Sequence, residues 1–358
     1  MTIINVCTPG SIDGCDSYGL ICIQLARGLT ALGCHVNLFA LGDNRHPNQP
    51  ADVAAITVQP IRAALGGIML GYPATYARHG ALTQIGPRVA LTMFESSRLP
   101  AGWAETLNTM DAVIVPGRFC RDVFLDCGIT TAIHIAPLGV NEIYQPAARN
   151  TDGPCTFLAF LDRGLRKGGL VALHAFVRAF GDDPEYRLIL KCRTPRVEMH
   201  ITNPNVEIVQ RDMSETELYE LYLSAHCLVF PTKGEGFGLP PREFAATGGI
   251  ALATGWGGTA DGIEQWGVPI PYKLVPADWR GAKRLEGQPL GEWAEVDVAD
   301  VAEAMRYVAL EREQLLRRAY SQAPRVRAMY DWRKFAGQAL STYEGVADGA
   351  HSRYAIAS

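Results

Sequence analysis

Short apolar runs rich in β-branched residues alternate along the chain with stretches whose apolar residues recur every three or four positions, the pattern of βα units. Runs at 3–8, 35–41, 88–94, 112–116 and 132–137 predict strands. Between the first two, Leu20, Ile23, Leu25, Leu29 and Leu32 follow a helical period over 18–32, and Gly33 supplies the stop. The segment 141–154 contains Pro, Asn, Asp and Gly with little periodicity and reads as a boundary. The alternation then restarts, with strands at 156–161, 187–192, 206–209, 227–231 and 250–254. Helices fall at 168–180, where Leu173, Phe176, Val177 and Phe180 share a face, and at 214–225. After Pro271 the pattern is irregular until a long helix at 297–318, acidic in its first turn and basic in its last, and a final helix at 332–343. The expected domains are 1–148, 149–325, and a C-terminal segment 326–358 whose helix packs back on the first domain before a frayed tail.

Length agrees with this division, since 358 residues exceed one ordinary core. With 48% hydrophobic and 20% charged residues the chain is globular rather than disordered. A net charge of -4 provides no global positive field for nucleic acid or anionic membranes. Locally the charge is more telling: the first lysine of the chain is Lys167, and it follows Arg163 and Arg166. Nine cysteines, odd in number and never spaced C-x-x-C, indicate neither a disulfide framework nor a zinc site. The N-terminus lacks a signal-type segment and no window is long and apolar enough to span a bilayer, so the expected location is the cytoplasm, compatible with peripheral membrane association.

The candidate chemistry centres on 234–244, which reads Gly234-Glu235-Gly236-Phe237-Gly238-Leu239-Pro240-Pro241-Arg242-Glu243-Phe244 directly after an apolar strand. A strand, a Gly-rich loop and a helix opened by a Pro pair place backbone N–H groups where an anion is stabilised, a seat for a diphosphate. Glu235 and Glu243 could grip the two ends of an extended ligand such as a sugar and a ribose. A G-x-G loop alone is usually a tight turn; here the Glu pair, the Pro pair and the strand act together. The loop at 9–19 also joins a strand to a helix without forming a G-x-G-x-x-G fingerprint, with Gly14 and Gly19 its candidate ligand contacts and Asp13 and Asp16 equally suited to turn or cap positions. Neither a hydrolase elbow nor a P-loop is present, and the eight histidines show no metal-ligand spacing.

The block from Glu235 to Glu243 resembles the E-x7-E signature of GT-B-fold retaining glycosyltransferases of the family 4 type. The likeness extends, in the family's order, to Thr92-Met93-Phe94-Glu95 with Leu99-Pro100 and Trp103, to 111–116 and to Pro137-Leu138-Gly139-Val140-Asn141, so that it covers most of 1–310. It implies an α/β chain of two Rossmann-like βαβ lobes facing across a cleft, followed by C-terminal helices. It also implies transfer of a sugar from a UDP- or GDP-linked donor to an acceptor hydroxyl with retention, without a metal or other cofactor. On this resemblance Arg163 and Lys167 bind the donor diphosphate; because their spacing is a residue shorter than is common, Arg166 can replace either. Gly14, Gly236, Phe237, Gly238, Leu239 and Glu243 would complete the donor site, and Glu235 would meet the sugar. One departure stands out: where many members place a sugar-contacting His, this chain has Phe94-Glu95, which makes Glu95 a candidate for sugar or acceptor. The acceptor stays open among glycans, lipid-linked sugars, small molecules, proteins and modified nucleic-acid bases. Rival readings are a viral-type modified-DNA-base glycosyltransferase, a sugar-nucleotide epimerase and an inactive nucleotide-sugar-binding subunit.

Overall fold

The computed structural model describes residues 2–8, 12, 17–40, 49–57, 66–76, 86–161, 166–192, 201–280, 282 and 285–356, those from 349 onward by backbone alone. Contacts divide the chain into two units. The first comprises 1–94, 98–139 and 331–358, and the second 95–97 and 140–330. Three residues of the 92–98 loop, Glu95–Ser97, therefore belong by contact to the second unit.

The first unit contains β1 (Ile3–Thr8), α1 (Ser17–Ala31), β2 (His35–Ala40), α2 (Ala51–Ala54), β3 (Gly67–Leu70), β4 (Arg88–Leu91), α3 (Trp103–Leu107), β5 (Ala112–Val115), α4 (Arg118–Asp126) and β6 (Ile133–Ile135). Its six strands pair in parallel in the order β2-β1-β3-β4-β5-β6. β3 is absent from the sequence reading. Its four residues are all buried, and a Cβ at Gly67 would collide with the Asn5 carbonyl of β1, so the glycine that lowers strand propensity is what lets β3 lie against β1.

The second unit contains β7 (Cys155–Phe160), α5 (Gly169–Phe180), β8 (Tyr186–Cys192), β9 (Val206–Gln210), α6 (Glu215–Ser224), β10 (Cys227–Phe230), α7 (Leu239–Ala246), β11 (Ile250–Thr254), β12 (Val268–Ile270), β13 (Lys273–Pro276), β14 (Glu292–Glu295), α8 (Val298–Leu310) and α9 (Arg312–Met329). The sheet order β12-β11-β10-β7-β8-β9 is parallel throughout and reverses direction between β7 and β10. This is the Rossmann order, in which ligands bind beyond the carboxyl ends of the two strands at the reversal. Phe157, Leu188, Leu190, Val229 and Leu252 form the core beneath it with Phe176 of α5 and Met305 of α8.

Two sequence expectations are corrected. The helix expected at 297–318 is two helices, because Glu311 leaves the helical conformation. α8 buries Val301, Met305 and Val308, whereas α9 buries Leu316, Ala323 and Val326, and the break lets each row face its own neighbour, α5 and α7 respectively. The last helix, α10 (Trp332–Ile356), runs well past 343 and packs along α1 in the first unit, burying Phe335, Ala336 and Ala339. Among the described residues, no helix is long and apolar enough to cross a membrane.

Candidate active site

The reversal point of the second sheet holds the charged cluster. β7 ends at Phe160 and its loop returns to α5 through Arg166 and Lys167, while β10 ends at Phe230 and its loop carries Thr232, Gly234 and Glu235. The two loops are tied together by their backbones: Lys233 N–H donates to the Arg166 carbonyl at 2.7 Å. Thr232 Oγ1 lies 3.1 Å from that same carbonyl and 3.3 Å from Glu235 Oε1.

Glu235 sits between two cations. Its Oε1 accepts from Lys167 Nζ at 2.7 Å and from Arg166 at 2.8 Å, and Arg166 also donates to the Gly234 carbonyl at 2.6 Å. Burial pushes the Glu235 carboxyl up, but the charges and hydrogen bonds of Lys167 and Arg166 outweigh it and hold it below the usual range. Glu95 Oε1 is 3.9 Å from Arg166, and among the described residues its buried Oε2 has no hydrogen-bond partner. Burial raises the Glu95 carboxyl above its ordinary value; Arg166 opposes the shift and Glu235 adds to it. The two carboxyls are thus pushed apart, Glu235 toward the ionised and Glu95 toward the neutral form, the arrangement by which paired acids take different roles. Arg166 and Lys167 remain about a quarter and a fifth exposed (24% and 21%), open to an approaching anion.

The glycine loop follows. Gly236, Phe237, Gly238 and Leu239 lead into α7, with Gly238 as its N-cap. The Phe237 and Leu239 side chains are buried, so these two residues can serve a ligand only through their backbones. Pro240 and Pro241 carry no N–H, and the anion-binding donors of this helix start are confined to 236–239. Behind the loop packs the 257–258 turn: Gly258 N–H donates to the Glu235 carbonyl at 2.7 Å, and a Cβ at Gly258 would strike the Gly236 carbonyl.

Glu95, Arg166, Lys167 and Glu235 therefore converge, while Glu243 lies in a separate buried group, accepting from Tyr222 Oη at 3.0 Å. Arg163 and Gly14 lie outside the described residues. Burial raises the Glu243 carboxyl from 4.5 to about 7, against the Tyr222 hydrogen bond and assisted by Glu215. An acid raised in the fold leaves stability unaffected below its unfolded value. As pH rises from 4.5 to about 7 the folded state resists the ionisation that the unfolded chain accepts, so stability falls. The loss is on the order of 3 kcal/mol. Glu243→Gln, whose amide oxygen can accept the same bond, is expected to be more stable than wild type at pH 8 and nearly equal to it at pH 4.5 in urea titrations. A gap that does not change with pH would refute the assignment.

Two supporting residues escaped the sequence reading. Thr232 holds the Arg166 carbonyl and the Glu235 carboxyl and Arg242 holds backbone carbonyls, and only the placing of an Arg among Leu239, Phe244, Ala245 and Ala246 marks the second in the sequence.

No protein-family model and no curated protein sequence matches the chain. Solved structures match it over nearly its whole length. A sucrose-phosphate synthase from Thermosynechococcus elongatus has a TM-score of 0.69 at 16% identity, with 97% of this chain and 99% of that one covered. The E. coli trehalose-6-phosphate structure bound with UDP-2-fluoro glucose has a TM-score of 0.64 at 10% identity, covering 94% and 98%. A trehalose-6-phosphate synthase studied for enzymatic glycosyltransfer with retention has a TM-score of 0.65 at 11% identity, covering 95% and 99%. The fold is GT-B. Within a GT-B chain the second unit is the one whose reversal point carries Arg166, Lys167 and Glu235. Among the described residues no group of three His, Cys, Asp or Glu side chains is placed to hold a metal ion.

Proposed function

We propose that this GT-B protein transfers a sugar from a UDP- or GDP-linked donor to an acceptor hydroxyl with retention of configuration. The observation that carries the reading is the placement of two accessible cations and a glycine-loop helix start at the Rossmann reversal point, with a buried carboxylate between them. Arg166, Lys167 and the 236–239 amides receive the diphosphate, with Arg163 assigned to the same role from its place in the sequence. Glu235 hydrogen-bonds the sugar, Glu95 serves the sugar or acceptor, Gly14 is assigned to the phosphates from its place in the sequence, and Glu243 belongs to the ribose end. The similarity to a structure bound with UDP-2-fluoro glucose and to an enzyme of retaining transfer supports this reading.

In the reaction the bond from the sugar's anomeric carbon to the phosphate oxygen breaks and a bond to the acceptor oxygen forms on the same face. The acceptor proton passes to the departing phosphate oxygen. Charge accumulating on that oxygen is met by Arg166, Lys167 and the loop amides, preorganised donors of the kind that stabilise developing anions. These cations take the place that a divalent ion would otherwise fill, and the reaction is proposed to need no metal.

The test is a panel of UDP- and GDP-sugars offered with glycans, lipid-linked sugars, small hydroxyl compounds, proteins and modified DNA, products being read by mass spectrometry. Formation of a glycosylated product with the donor's anomeric configuration, undiminished by EDTA, is expected. Binding of donor with no turnover for any acceptor would turn the reading to an inactive nucleotide-sugar binder, and a product of inverted configuration would refute retention.

A further inference from the structure

Arg242 is fully buried, yet no described carboxylate lies within ion-pair distance of it. A guanidinium removed from water without a counter-ion is costly unless its donors and charge are met in other ways. Here the Nη donors and the charge are met by backbone and by rings, while the buried Nε has no hydrogen-bond partner among the described residues. Nη1 donates to the carbonyls of Phe237 and Gly238, and Nη2 to those of Gly258 and Asp261 at 2.8 and 2.9 Å. The rings of Phe237, Trp266 and Tyr330 stand 4.1, 4.7 and 4.9 Å from the guanidinium carbon. One side chain thus clamps the glycine loop at 237–238 to the turn at 258–261, and the two arms of its fork go to different loops.

Peptide planarity gives this clamp a direction. In a trans peptide the carbonyl of one residue and the N–H of the next point to opposite sides. Drawing the Phe237 and Gly238 carbonyls inward to Arg242 turns the N–H groups of Gly238 and Leu239 outward. These two donors matter because Pro240 and Pro241, next in line, have none. A lysine in the same place has one nitrogen and no planar fork, so it could satisfy one loop but not span both.

We propose that Arg242 is a positioning residue that presets the Gly238 and Leu239 amides to receive the donor's diphosphate. The inference rests on the nucleotide-sugar reading above and adds to it the group that orients the phosphate seat. Arg242 itself touches no substrate.

The experiment compares wild type, Arg242→Lys and Arg242→Met in calorimetric titrations with UDP, GDP, uridine and guanosine. Wild type is expected to bind one of the two diphosphates. Arg242→Lys should bind that diphosphate at least about tenfold more weakly while its affinity for the matching nucleoside changes less than about twofold, and Arg242→Met should lose more. A folded Arg242→Lys whose diphosphate affinity is unchanged, or whose diphosphate and nucleoside affinities fall together, overturns the proposal. For the case in which neither variant folds, wild-type protein labelled at glycine and leucine amides decides: the Gly238 and Leu239 amide resonances should shift with the diphosphate and stay in place with the nucleoside. No such selective shift overturns the inference. Failure of wild type to bind either diphosphate refutes the nucleotide-sugar reading itself and this inference with it, whereas wild-type turnover with an indifferent Arg242→Lys refutes this inference alone.

Discussion

Glu235→Ala is expected to lower sugar transfer by at least about a thousandfold while leaving affinity for the free nucleoside diphosphate unchanged or increased. The two halves of this result have one cause. Lys167 and Arg166 are engaged by Glu235 at 2.7 and 2.8 Å, so an incoming diphosphate must share or displace that carboxylate. Removing it takes away the carboxylate that competes with phosphate for both cations, Arg166 keeping its bond to the Gly234 carbonyl, and because each is partly exposed their charge is not stranded without solvent. In its proposed role Glu235 is also the ionised acceptor for the sugar, and without it a reaction that depends on the placement of the anomeric carbon fails. Rate and binding are measured separately, by product formation at saturating donor and by calorimetry with UDP and GDP. Transfer within about tenfold of wild type, or an affinity that falls as far as the rate, would remove Glu235 from its assigned role.

Much of this site can be read without coordinates because its parts are local. A βα turn is a contiguous stretch, and the residues assigned above to an anion, Arg166 and Lys167 after β7 and 236–239 after β10, lie within a few positions of the strand that presents them. That these two turns meet is a consequence of the Rossmann strand order, which the alternation of strands and helices already suggests. What escapes is non-local or hidden by composition. β3 is short and begins with a glycine, and the need for that glycine is visible only once Asn5 is known to lie beside it. The hairpin of β13 and β14 is largely exposed on the first strand, so it lacks the alternation of a half-buried sheet. The long C-terminal helix reading fails at Glu311 because two helices with differently facing apolar rows produce, when concatenated, a periodicity close to that of one. Arg242 looks like solvated charge until its burial among three rings is known.

Glu95 illustrates the same limit and leads to the second large effect, Gly234→Ala. By sequence Glu95 follows a strand of the first domain; by contact its segment is attached to the second unit, through Ser97 N–H to the Glu292 carbonyl at 2.9 Å and Glu292 N–H to Ser97 Oγ at 2.7 Å. A Cβ at Gly234 would collide with the Glu95 carbonyl oxygen and would lie 3.3 Å from the ring of Trp256. The obstruction is backbone and a large ring, neither of which yields as a flexible side chain would. Gly234 cannot retreat freely either, since its own carbonyl accepts from Arg166 at 2.6 Å. A single methyl must therefore either lift the 95–97 segment from β14 or loosen Arg166 and with it Glu235. Overpacking of this kind costs about 1–3 kcal/mol of stability. A displacement near 1 Å of reacting groups costs about a hundredfold in rate, so the activity loss should exceed what the stability loss alone would produce at a temperature where the variant is folded. Thermal unfolding and kcat measured on the same preparation separate the two. Wild-type kcat in a folded Gly234→Ala protein would show that the Glu95 contact is dispensable and that Arg166, Lys167 and Glu235 work without it.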